Sequence, residues 1–273
     1  MSNSAIKLEM HADVAVLTLC TSPMNIVTLD LTQLLSKRLD ELAADPAVRA
    51  LVVTGEGPRA FSAGSNLREF PGIIERGGLA SQKLDFENAT YSKLANFPRP
   101  TIAAIEGLAF GGGLELAACA DQIVCAETAR LSLPEVRLGI FPGSGGTVRV
   151  TRRIGVGRAK RMMLLGDPID AKTALDWGLV DELAPDGAVL EHALALARRF
   201  AAGPALALQA CKRAIDDTFS LNEEDALAHA IRLIDALGPT ADLAEGLQAF
   251  FAKRAPVFRD APDTGKANSR RDG

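Results

Sequence analysis

Four short runs constrain this chain more than anything else in it: DVAVLTLC from Asp13, RALVVTG from Arg49, TIAAIEG from Thr101 and DQIVCA from Asp121. Each is nearly unbroken in apolar or β-branched residues and is bounded by polar or turn-forming ones. This pattern predicts strands buried in a core. The stretches between them carry a different period. Leucines at 31, 34, 35, 39 and 42 follow Thr28, which is suited to cap a helix; a second helix is predicted from Leu79 to Asn96, ended by FPRP. Strand and helix therefore alternate, as in an α/β domain.

Two strand-to-helix junctions look alike. AFSAG begins at Ala60 and AFGGG at Ala109, each after a strand and a glycine-containing turn. They suggest a repeated ββα unit, with chance recurrence of two glycine-rich strings as the alternative. Farther on the chain turns helical: RAKRMMLLG, AKTALDWG and DGAVLEHALALARRFAAG each end in glycine, the usual helix-ending residue. Three more helices are expected to start near Pro204, in a first-turn position, and at the capping residues Asn222 and Thr240. Leu227, Ile231 and Ile234 share one apolar face, and Leu243, Leu247 and Phe250 another. Such faces pack on the α/β core or on another subunit. From Pro262 the tail has nothing to bury and is expected to be disordered.

Composition narrows the chemistry. A net charge of −4 gives no support to nucleic acid or an acidic membrane as partner. The opening residues hold neither a signal-peptide pattern nor a membrane span, and Cys20, Cys119, Cys125 and Cys211 have no metal-site spacing. We expect a cytoplasmic protein with reduced, mostly buried thiols. The histidines, His11, His192 and His229, lie far from the glycine-rich loops and read as surface or structural residues. FPGSGG is not a nucleophile elbow, RIGVGRAK is not a dinucleotide fingerprint, and no Walker A sequence occurs.

Backbone amides and carboxylates remain. FSAGSNL and FGGGLEL place small residues where the chain enters a helix, so a ligand can approach unsatisfied N–H groups that favour negative charge. Two such groups on one point form an oxyanion hole for a thioester enolate; singly, each loop is equally a tight turn. Glu115 and Glu135 are likewise either helix-start acids or catalytic ones, and periodicity does not choose between these readings.

The choice comes from resemblance. AFSAGSNLREF, PRPTIAAIEGLAFGGGLELAACADQIVCAE, LSLPEVRLGIFPGSGGTVRVTRRIG, GDPIDAKTALDWGLVDEL and FFAKRAPVF together resemble the enoyl-CoA hydratase/isomerase (crotonase) superfamily, in family order over residues 5–260. The resemblance implies a crotonase-like spiral of ββα units over residues 1–200. It implies a helical trimerisation region over 201–260, and trimers often paired into hexamers. It implies an acyl-CoA substrate, with no cofactor beyond the coenzyme A that the substrate carries. The oxyanion amides carry over to Ser65 and Gly112, and the paired acids of hydratases to Glu115, for the water, and Glu135, for the C2 proton. CoA is expected along Ala63, Asn66, Leu67 and Arg68, with Ala63 offering backbone groups to adenine and Arg68 near the phosphates. Lys253 resembles a lysine that reaches a neighbouring subunit's CoA. Many members have aspartate where this chain has Asn66. Beside the hydratase stand two alternatives: a double-bond isomerase using Glu135, and a non-catalytic acyl-CoA binder.

Overall fold

The computed structural model describes residues 4–260; the tail from 261 expected to be disordered lies outside the described residues. A six-stranded sheet runs β1 (Ile6–His11), β2 (Val14–Leu19), β3 (Ala50–Gly55), β5 (Thr101–Ile105), β7 (Gln122–Ala126) and β10 (Glu182–Ala184), in that order. All neighbours are parallel except the hairpin pair β1 and β2. A smaller sheet holds β4 (Ala60–Ser62), β6 (Leu108–Phe110), β8 (Arg130–Ser132) and the antiparallel β9 (Ile169–Asp170).

The order of these strands is the spiral. The chain lays β3 in the large sheet and β4 in the small one, then enters helices. It repeats this with β5 and β6, and again with β7 and β8. The helices that close the three turns are α2 (Phe70–Glu75) with α3 (Asp85–Ala95), then α4 (Gly112–Ala117), then α5 (Gly146–Leu165). The ββα repeat is thus real, and AFS and LAF are themselves the second strands, not loops that follow one. Helix α1 (Leu29–Ala44), capped by Thr28 Oγ1 accepting from the Leu31 amide, packs on α3. A short α6 (Ala171–Trp177) follows β9, and α7 (Val189–Ala201) lies against β3, β5 and β7. The central strands β2, β3, β5 and β7 bury nearly every residue because helices cover them, so no alternation survives in their sequence.

Several details differ from the sequence reading. Strand β1 was not expected; IKLEMH is an edge strand with only Ile6 fully buried, which dilutes its apolar signal. The helix expected from Leu79 opens with a π-helical turn over Ala80–Leu84 before α3. The helix ending at Gly166 begins at Gly146 and is broken at Gly155, whose φ of 76° only glycine adopts readily; this break is the RIGVG segment. Helix α7 stops at Ala202, in right-handed backbone, so Gly203 is not its cap. Pro204 stands at the N-cap position of α8 (Ala205–Asp217), one residue before its first turn, and makes no side-chain cap. Of the thiols, Cys119 and Cys125 are buried, Cys20 is half-buried and Cys211 exposed.

Beyond α8 come α9 (Glu223–Leu237) and α10 (Ala241–Phe251), capped by Asn222 and Thr240. Their apolar faces find no cover among the described residues: Ile234 is 68% and Phe250 76% exposed. No helix among the described residues is long and apolar enough to cross a membrane.

Candidate active site

Strands β4 and β6 are parallel neighbours, Ala60 opposite Leu108 and Ser62 opposite Ala109, so the two glycine-rich junctions leave the small sheet at the same end. Glycine is required there by close approach. A Cβ on Gly113 would sit 2.5 Å from Ser62 O, and one on Gly64 (φ 97°) 2.8 Å from Phe110 O and 3.5 Å from the Gly112 nitrogen. Gly111, at φ 52°, turns the chain into α4.

Each junction presents one amide. The N–H of Val27 donates to Gly64 O at 2.8 Å and that of Asn66 to Val27 O at 2.9 Å, which turns the Ser65 N–H, between them, to the opposite side. The Gly112 N–H is free for another reason: it belongs to the first residue of α4 and has no acceptor one turn back. A Cβ on Gly112 would lie 3.8 Å from the Ser65 nitrogen, so the two amides stand close together at one spot. The Tyr91 hydroxyl donates to Gly112 O at 3.0 Å and steadies that peptide.

Two carboxyls border the same spot. Glu115, in the first turn of α4, is 3% exposed, and its Oε1 accepts the N–H groups of Ser144 and Gly146, both at 2.8 Å. Burial drives its pKa from 4.5 up to about 8; the amide of Gly146 opposes the rise, Glu135 adds to it, Ser144 opposes it and Glu87 adds to it. Glu135 opens a 3-10 turn (Glu135–Leu138) after β8. Its Oε1 lies 3.0 Å from where a Gly111 Cβ would stand, and its Oε2 is enclosed with no hydrogen-bond partner among the described residues. Burial raises its pKa too, against its own backbone amide. Two donors and two carboxyls of raised pKa therefore lie around Gly111 and Gly112, an arrangement able to stabilise an enolate while moving protons.

Comparison with known proteins agrees in kind. The family model described as enoyl-CoA hydratase/isomerase matches residues 9–261. The chain belongs to the enoyl-CoA hydratase/isomerase family. It is 38% identical to a probable enoyl-CoA hydratase of Bacillus subtilis, over 94% of this chain and 99% of that one. It is 39% identical to the 2,3-dehydroadipyl-CoA hydratase of Escherichia coli, over 82% and 86% respectively. The crystal structure of an enoyl-CoA hydratase from Bacillus anthracis superposes with a TM-score of 0.88 at 33% identity, over 93% of this chain and 98% of that one.

The remaining expected positions in this family member are less uniform. The Ala63 N–H is taken by Met24 O at 2.9 Å, which leaves its carbonyl to offer a ligand. Asn66 Oδ1 accepts from the Arg68 amide at 3.3 Å, and its Nδ2 donates to Glu69 Oε1 at 3.0 Å. A carboxyl thus stands beside Asn66, three residues on, at Glu69. Leu67 and Arg68 are exposed; Arg68, with Leu29, Glu69 and Lys83, lines a cavity of about 420 Å³. Lys253, in left-handed backbone after α10, is exposed, and no side-chain hydrogen bond or ion pair among the described residues ties it to the cluster. A larger cavity, about 680 Å³, opens between Asp121, Arg153 and Lys212 and touches none of the four central residues.

Sequence reasoning missed what holds Glu115. The amides of Ser144 and Gly146 come from FPGSGG, where glycines again precede a helix, α5, with Gly145 left-handed at φ 99°. The signal that marked the other two junctions was present here as well.

Proposed function

We propose that this chain hydrates trans-2-enoyl-CoA thioesters to 3-hydroxyacyl-CoA. The observation that carries the reading is the convergence of the Ser65 and Gly112 amides with Glu115 and Glu135. The thioester oxygen accepts from the two amides, and negative charge grows on it as water attacks C3. Water's proton goes to one carboxyl while the other delivers a proton to C2. The H and OH of one water are thereby added and the pair ends with the proton it began with. Two neighbouring carboxyls resist double ionisation, so a pair holding one proton is the working state.

We assign the water to Glu115 and the C2 proton to Glu135. Geometry supports this division: two amides lock one oxygen of Glu115, while Glu135 has an enclosed, unpartnered oxygen. In this scheme the shared proton stands on Glu135 when substrate and water are bound, and Glu115 is the carboxylate that takes the proton from water. Isomerisation needs a single proton carrier, and the second carboxyl argues for hydration. The names of the relatives point the same way. No cofactor is required, because the thioester is the electron sink. Arg68 stands near the CoA phosphates and the Ala63 carbonyl near adenine. The exposed faces of α9 and α10 in the 201–260 region are covered by further copies of the chain in a trimer, alone or paired, in which Lys253 reaches a neighbour's CoA.

The test is loss of conjugated absorbance when 2-butenoyl-CoA and longer 2-enoyl-CoA thioesters are mixed with the protein. Retained absorbance across all chain lengths refutes hydration. Exchange of C2 protons of butanoyl-CoA in heavy water checks the division: it is expected to survive Glu115→Gln and to vanish in Glu135→Gln.

A further inference from the structure

The turn that holds Glu115 is itself held from behind. Ser144 gives its N–H to Glu115 and sends its hydroxyl the other way, to Glu87 Oε2 at 2.7 Å. The second oxygen of Glu87 accepts from Lys83 Nζ at 2.7 Å, and both side chains are almost wholly enclosed. One face of α3 and the turn before it meets the site at helical spacing. Leu84 fills the space beside Gly143, Asn88 donates to Gly143 O at 2.8 Å, and Tyr91 donates to Gly112 O.

A buried ion pair is a poor stabiliser, because desolvating two charges offsets most of their attraction, and an apolar pair of similar volume serves a fold as well. A carboxylate at position 87 does something that an apolar side chain does not. It accepts the Ser144 hydroxyl and so fixes the peptide whose N–H meets Glu115. We propose that Glu87, anchored by Lys83, is a positioning residue for hydration, setting the orientation of the Glu115 carboxyl through Ser144. This rests on the reading of Glu115 given above. The charged and titratable groups around Glu115 are Glu135 across Gly111, Glu87, Lys83 and Tyr91 from the α3 side, the Cys119 thiol on the Glu115 carbonyl, and Arg149, which donates to Ser144 O at 3.3 Å. Among them, the charge of Glu87 favours protonated Glu115, so its removal lowers the pH at which Glu115 titrates.

The experiment compares two double variants of the full chain by hydration of 2-butenoyl-CoA and by thermal melting. Lys83→Met with Glu87→Met removes the ion pair and the acceptor. It is expected to melt at or above wild type yet lose kcat by about 10- to 100-fold with KM within about twofold. Lys83→Met with Glu87→Gln keeps an acceptor for Ser144 and is expected to recover kcat to within about threefold, while the titration of Glu115 moves to lower pH in both. That titration is read without turnover, from the Glu115 carboxyl band in difference infrared spectra, assigned by its loss in Glu115→Gln. A wild-type protein that hydrates no enoyl-CoA therefore ends the reading of the reaction, while this band still decides the coupling. Wild-type kcat and an unmoved Glu115 titration in the Met/Met variant overturn the proposal. If that variant does not fold, Ser144→Ala decides: kcat lower by about 3- to 10-fold with melting retained supports the role, and unaltered kcat and KM overturn it.

Discussion

The junctions at Ala60 and Ala109 share a five-residue string that differs at two positions, yet they free their amides by different physics. At the first, a neighbouring extended segment around Val27 takes the N–H of Asn66 and the carbonyl of Gly64, and the alternation of extended backbone leaves Ser65 facing out. At the second, the start of a helix leaves Gly112 without an acceptor, and the same helix carries Glu115. The first junction supplies a donor alone; the second supplies a donor and an acid. Local resemblance between two strings therefore shows that both can expose backbone. What each exposes depends on the partner strand or helix.

The difference can be broken at its largest point first. Glu115→Gln and Glu135→Gln each remove a proton carrier and should lower kcat by about 10³-fold with the fold retained, measured by hydration kinetics and circular dichroism. A near-wild-type rate in either variant removes the acid function from the second junction and leaves the two alike. The pH profile sharpens the same point. One proton on the pair predicts a bell, with an alkaline limb near 8 as the proton leaves and an acidic limb above 4.5 as both carboxyls fill.

Stability gives the next effects. Raised from 4.5 to about 8 on folding, the Glu115 carboxyl contributes stability in full below pH 4.5 and loses it as pH climbs through 8. Glu115→Gln stays neutral, so its melting advantage over wild type should grow between pH 5 and pH 9, to on the order of 3 kcal/mol. A flat difference contradicts the buried, protonated acid. Gly113→Ala presses a Cβ onto the Ser62 carbonyl and wedges the two junctions apart, at a cost of about 1–3 kcal/mol in denaturant titrations. The smallest change is at the first junction. Ser65→Ala keeps the amide and removes only a hydroxyl, so kcat/KM should fall by no more than about threefold. A large loss would mean that the side chain, not the backbone, acts there.

Much of this was legible in the residues. Thr28, Asn222 and Thr240 cap the helices they precede, and the four apolar runs are the central strands, because caps and buried strands are set by side chains a few residues apart. Edge strand β1 was not legible, since an exposed strand carries little apolar signal. The alternatives at Glu115, dipole partner or catalytic acid, were equally open in sequence. Only resemblance to a family favoured the acid, and only the fold brought Ser144, Gly146 and Glu87 to it from 29, 31 and 28 residues away (115 to 144, 115 to 146, and 115 to 87).

By itself the sequence determined the alternation of strands and helices, the places where backbone is laid bare by glycine, and the identity of the acids available. Those follow from short-range sterics and hydrophobic period. Tertiary structure alone decided that β4 and β6 lie side by side, so that two amides distant in the chain come close together. It also decided that Glu115 is dry enough to hold a proton near neutral pH. Strand pairing and desolvation are properties of the packed molecule: they depend on which surfaces meet after the chain has closed on itself.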